Sequence, residues 1–166
     1  MKKIVSIAAL TFLFVLSCHN IYAQGAVKVG PDPSTLRDAE LEKDSMHHLE
    51  VARNYYKLRK AYVAALVRCE EVIAGNPNFA KIEEILLMAG KSSLALAESK
   101  GKQSPSLYVV HDGSEKRTLT SEQFRGLGRQ YLTRLITEFP NSKYRAEAEA
   151  SLREVGGPLE QNNEQY

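Results

Sequence analysis

Val72-Ile73-Ala74-Gly75-Asn76-Pro77-Asn78-Phe79 and Leu135-Ile136-Thr137-Glu138-Phe139-Pro140-Asn141-Ser142 end alike. In each, an amphipathic helical run stops at Asn-Pro-Asn or Phe-Pro-Asn, and a second helical run follows almost at once. Upstream of each proline the small and apolar positions also line up: Ala65, Cys69 and Val72 in the first copy, Gly128, Leu132 and Leu135 in the second. A helix–turn–helix unit repeated in this way is the mark of a solenoid, whose units bury their apolar faces by stacking on one another. Such arrays bind other chains along a surface and seldom carry chemistry.

Working outward, a first long helix is predicted to begin between residues 34 and 38 and to run to about residue 60. Acidic residues crowd its start (Asp38, Glu40, Glu42, Asp44) and basic ones its end (Lys57, Arg59, Lys60), which suits the helix macrodipole. Leu49, Ala52, Tyr56 and Arg59 share one face at helical spacing. Helix two covers 62–74, with Ala65, Cys69, Val72 and Ile73 inward, and Gly75 and Pro77 stop it. Helix three, 81–99, is apolar on most sides and belongs in the middle of a bundle. Residues 100–120 then interrupt the repeat with two glycines, a proline and the run Leu107-Tyr108-Val109-Val110. A turn at His111-Asp112-Gly113 would fold 108–119 into a short hairpin. Helix four opens on the capping-box pattern Thr120-Ser121-Glu122-Gln123 and ends at Phe139-Pro140. Helix five covers 143–155 and is closed by Gly156-Gly157-Pro158. The expected fold is an all-α array of antiparallel helix hairpins over 36–157, without a sheet, followed by a polar, disordered tail at 158–166.

The chain of 166 residues has a formal charge of +2. Lys2 and Lys3 precede the mainly apolar run 4–16, the charged and hydrophobic regions of an export signal. Thirteen residues are too few to cross a membrane, which takes about 20. Two processing sites compete. Cleavage before Cys18 would follow the lipobox-like Val15-Leu16-Ser17-Cys18, and cleavage after Ala23 would follow Ile21-Tyr22-Ala23. Either leaves a spacer that extends over 24–35, with Pro31 and Pro33. Loss of the two leader lysines brings the 22 basic residues to 20, equal to the 20 acidic ones. A neutral mature chain lacks the basic footprint that nucleic-acid binding needs. Cys18 and Cys69 are the two cysteines, and they make no disulfide framework in such a chain.

The two Pro-terminated copies, Asn76-Pro77-Asn78-Phe79 and Phe139-Pro140-Asn141-Ser142-Lys143-Tyr144, resemble the tetratricopeptide repeat of exported bacterial proteins. Gly90 falls where the long form of that repeat has its helix-crossing small residue. The leader, Cys18, and the stretch from Asn54-Tyr55-Tyr56 through Lys81 resemble the BamD/YfiO group, lipoproteins of the outer-membrane β-barrel assembly machinery. The resemblance covers about 44–155. It implies a non-catalytic periplasmic scaffold at the outer membrane, with barrel-assembly components or unfolded outer-membrane proteins as partners. It also implies a lipid anchor on Cys18. The chain departs from the group in having about two and a half repeats where five are usual, and in the insertion at 100–120. The Phe-Pro-Asn-Ser ending is shared with the soluble Tol-Pal-associated tetratricopeptide coordinator, a second reading of the same residues.

No motif for chemistry stands against this. Cys69 lies on an apolar helical face beside Glu70 and Glu71, whose charges oppose thiolate formation. His47 and His48 are adjacent, about 100° apart on a helix, and cannot share a metal ion. Gly126-Leu127-Gly128 follows no strand and is no phosphate loop. Glu83-Glu84 reads as a solvated helix face. No cofactor is expected, and an enzyme would have to work through Cys69. The concave face of a tetratricopeptide array is built by the first helix of each repeat, which here would present His47, Glu50, Asn54 and Lys57. The insertion is a second candidate contact: Tyr108, Val109 and Val110 are apolar, and Lys100, Lys102, Lys116 and Arg117 outnumber Asp112 and Glu115. On that view, replacing 103–116 by a Gly-Ser linker spares stability and weakens partner capture. If the segment instead covers helices three and four, stability falls.

Overall fold

The computed structural model describes residues 38–112 and 115–159. Five helices follow in order: α1 (Ala39–Arg53), extended by a π-helical turn (Asn54–Arg59), α2 (Tyr62–Gly75), α3 (Ile82–Ala97), α4 (Ser121–Glu138) and α5 (Arg145–Glu154). The signal and lipobox residues, Cys18 among them, lie outside the described residues, as does the whole spacer.

The two Pro-Asn turns are the same structure. Asn76 and Phe139 N–H each close the preceding helix, on Val72 and Leu135 carbonyls; Phe79 and Ser142 N–H bond back to Asn76 and Phe139; Ile82 and Arg145 N–H bond to Phe79 and Ser142. Each pair of positions is 63 residues apart (140 − 77), as are Ala65 and Gly128, Cys69 and Leu132, Val72 and Leu135, all of them buried. The chain is thus an all-α array of helix hairpins with one insertion.

α3 is central. Eleven of its sixteen residues are buried, and it packs most extensively against α4, then α2. The α3–α4 contact is close because two glycines meet there. A Cβ on Gly90 would lie 2.6 Å from Leu132 Cγ, and one on Gly128 2.6 Å from Leu94 Cδ2 and 3.0 Å from the Gly90 carbonyl. One continuous core runs from Leu49 and Ala52 through Leu66, Ile85, Leu86, Phe124 and Leu132 to Ala148 and Leu152.

Helix starts are satisfied in three ways. Asp38 Oδ1 accepts from Glu40 and Leu41 N–H at 2.9 and 3.2 Å. The expected capping box forms at Thr120 and Gln123. α2 has no cap of its own; Gln103 Oε1 reaches in from the insertion and accepts from Ala64 N–H at 3.0 Å. Gly101, at φ +98°, lets the chain pass against the Lys60 carbonyl and the Tyr62 ring, where a Cβ would come within 2.6 Å of both.

The expected hairpin within 108–119 forms: Val109–Asp112 (β1) and Glu115–Thr118 (β2) pair antiparallel, Val109 with Thr118 and Asp112 with Glu115. Three expectations are corrected. The hairpin is a small two-stranded sheet in an array expected to have none. His111 and Asp112 are therefore strand residues and not the turn. The expected disordered tail is docked where it begins. Arg129 donates to the Gly157 and Pro158 carbonyls, and Leu159 N–H donates to Thr133 Oγ1. Gly156 and Gly157 (φ +93° and +86°) make that reversal. Finally, Arg59 does not share the face of Leu49, Ala52 and Tyr56. The π-helical turn adds a residue to the repeat of the backbone bonds, so positions after Asn54 fall behind the α-helical register.

Candidate functional site

Side chains at the end of α1 and along α3 and α5 line one trough. Three adjoining hollows of about 190, 170 and 190 Å³ make it up. The first and second share Glu84 and Tyr144; the second and third share Tyr56 and Lys91. Leu87 and Met88 of α3 form the apolar floor with Tyr56.

Two ion pairs tie the three helices together across this floor. Arg53 Nε and Nη2 donate to Glu84 Oε1 and Oε2, both at 2.6 Å, a bidentate pair between α1 and α3. The Arg53 bonds hold the Glu84 carboxyl below its ordinary pKa, and the Tyr144 hydroxyl adds to this. Lys91 donates to Glu147, joining α3 to α5. Burial pulls the Lys91 ammonium down, but Glu147 and Tyr56 outweigh it and its pKa is raised. Burial raises the Tyr56 hydroxyl too. These pairs leave Lys57, Lys81 and Lys143 without a carboxylate in ion-pair range among the described residues, although Lys143 Nζ stacks 4.9 Å from the Tyr144 ring centroid.

The expected stripe is divided between two hollows. His47, Glu50 and Asn54 line one of about 360 Å³ with Val51, Tyr55 and Arg59 on another side of α1, and Lys57 lines the trough. At about 100° per residue, Arg53 points about 40° from Leu49 while Asn54 points about 140° away. The trough takes the residues flanking the core stripe, not those opposite it. Glu84, expected as solvated, is a buried-side partner of Arg53, 15% exposed in its side chain. Arg53, Glu84, Tyr144 and Glu147 had one usable signal in sequence: Leu87 and Met88 make α3 apolar beyond what α2 and α4 cover.

The insertion is divided as well. Tyr108 turns inward, its ring edge-on to Phe124 at 5.5 Å between centroids and its hydroxyl donating to Glu70 Oε1 at 2.7 Å. Tyr131 of α4 donates to the same oxygen at 2.9 Å. With Gln103 at the start of α2, Tyr108 makes the first half of the insertion a structural cover. Val109, Lys116 and Arg117 are exposed and Val110 is half-buried.

Cys69 is fully buried, as its helical face predicted. Desolvation, with Glu70 and Glu84 adding to it, pushes the thiol far above its ordinary pKa. Among the described residues no group of three His, Cys, Asp or Glu side chains could hold a metal ion, and no helix is long and apolar enough to cross a membrane. The chain matches no family model, no curated protein and no solved structure.

Proposed function

We propose that this chain is a non-catalytic, tetratricopeptide-type adaptor, exported to the periplasm and held at the outer membrane, where it grips other polypeptides during β-barrel protein assembly. The observation that supports a gripping role is the trough: an apolar floor of Tyr56, Leu87 and Met88 with ion pairs on either side, open along three helices. Its dimensions and mixed lining suit an extended segment of another protein better than a small molecule. Export and lipid attachment rest on the leader and on Cys18, and the assembly role on the BamD/YfiO resemblance.

A photocrosslinking amino acid in place of Lys57, in cells, tests the reading. Recovery of barrel-assembly components supports it; recovery of Tol-Pal components replaces it with the soluble coordinator suggested by Phe139-Pro140-Asn141-Ser142. Mass spectrometry of the mature N-terminus separates the same two, as acylated Cys18 or as Gln24.

A further inference from the structure

We propose that the trough accepts an extended peptide segment in one charge order: acidic side chains against Lys81 and Lys143, an apolar side chain over Leu87 and Met88, and a basic side chain near Glu154. The inference rests on the adaptor reading and adds the chemistry of the occupant.

Most charges in the trough are spent internally. Arg53 pairs with Glu84, Lys91 with Glu147 and Lys100 with Glu98. What remains is unevenly placed. Lys81 and Lys143 line the hollow at the starts of α3 and α5, whereas Glu154 lines the hollow at their ends. The dipoles of these two helices, which run the same way, add to the same polarity. Among the described residues, Glu83 is the one unpaired carboxylate at the basic end, against Lys57, Lys81 and Lys143.

Between the two ends the floor is apolar, and Met88 gives it an adaptable surface. From Lys81 to Glu98 the helix rises about 26 Å at 1.5 Å per residue, which an extended segment of about eight residues spans. A segment of that length with opposite charges at its two ends sets its central residues over the apolar floor of Leu87 and Met88. Rim charges of this kind select the partner and its orientation more than they add affinity.

The test uses two fluorescein-labelled, C-terminally amidated decapeptides read by fluorescence anisotropy at about 50 mM salt, where surface charges are little screened. One carries paired aspartates, a central Leu-Phe and paired lysines; the other has asparagines for the aspartates. Amidation removes any part for a terminal carboxylate. The aspartate peptide should bind the wild-type protein about fivefold more tightly, the scale of two exposed charge contacts. In the Lys81→Glu/Lys143→Glu variant the preference should vanish or invert. Both lysines are exposed, so the fold should persist, as a circular dichroism melt will check. If it does not, Lys81→Gln/Lys143→Gln should bring the ratio to about one by the same loss of contacts. Equal binding of the two peptides to wild type, or a ratio unchanged in the variants, overturns the charge order and leaves the adaptor reading standing. Failure of both peptides to bind at millimolar concentration overturns the charge order together with the peptide-gripping role of the trough.

Discussion

Glu70 is a carboxyl facing two tyrosine hydroxyls, and no cation enters the balance that sets its pKa. Burial raises that pKa, and the bonds from Tyr108 and Tyr131 recover only part of the shift. The folded state therefore binds this proton more readily than the unfolded chain does. Stability from Glu70 is fully present below the ordinary carboxylate pKa and is lost as pH rises through the raised folded value. Glu70→Gln should abolish this dependence. Thermal melts of both proteins, stepped from neutral pH down to about the ordinary Glu pKa of 4.3, should show wild type gaining on the variant as pH falls. A constant gap would mean that the tyrosine bonds cancel the effect of desolvation, and a wild type that loses on the variant as pH falls would mean that they outweigh it. Gly128 offers a second test. Gly128→Ala puts a Cβ into Leu94 and the Gly90 backbone, and should cost about 1–3 kcal/mol by denaturant unfolding. Two residues earlier on the same helix, a Cβ on Gly126 meets nothing within 4 Å, so Gly126→Ala should stabilise by up to about 1 kcal/mol.

Among the elements, the insertion joins a fastened half to an exposed one. Gln103 caps α2 and Tyr108 bridges α2 to α4, so replacing 103–116 with a Gly-Ser linker should lower the melting temperature. This reverses the expectation drawn from composition. Gln103→Ala alone should cost about 0.5–2 kcal/mol, as for a lost helix cap. Replacing 111–116 with Asn-Gly keeps both anchors and the Val110–Arg117 pair and should leave the melting temperature nearly unchanged, because His111, Glu115 and Lys116 are exposed. A large loss on that shorter deletion would show that the hairpin braces the helices. Helix existence was readable from periodicity, and the Thr120 capping box from four adjacent residues. The missing cap of α2 was not, since its acceptor comes from a residue 39 positions away.

For the whole molecule, α3 is the element whose loss should be felt everywhere. It is covered by α2 and α4 and carries the trough floor on its remaining side. Leu86→Ala should cost about 2–5 kcal/mol and unfold the array as a unit. Leu152→Ala, in the terminal α5, should chiefly raise hydrogen exchange in α5 itself, because each hairpin of an array is held only by its neighbours. Equal exchange changes in α2 after both substitutions would argue against this layered transmission.

What the sequence determined by itself was the set of relations that close within a turn or two of helix. The inward positions Ala65, Cys69 and Val72, their counterparts Gly128, Leu132 and Leu135, and the Pro77 and Pro140 stops all follow from backbone sterics and a 3.6-residue period. The candidate site depended on relations that do not close locally. Arg53 meets Glu84 across 31 residues, Lys91 meets Glu147 across 56, and Tyr131 meets Glu70 across 61. A charged side chain on a helix surface carries no mark of whether solvent or another helix lies opposite, so Glu84 read as solvated. Only the packing of α1, α3 and α5 decided which flank of each helix became the trough, because burying the apolar faces in one core turns some polar faces toward one another and leaves the rest in water.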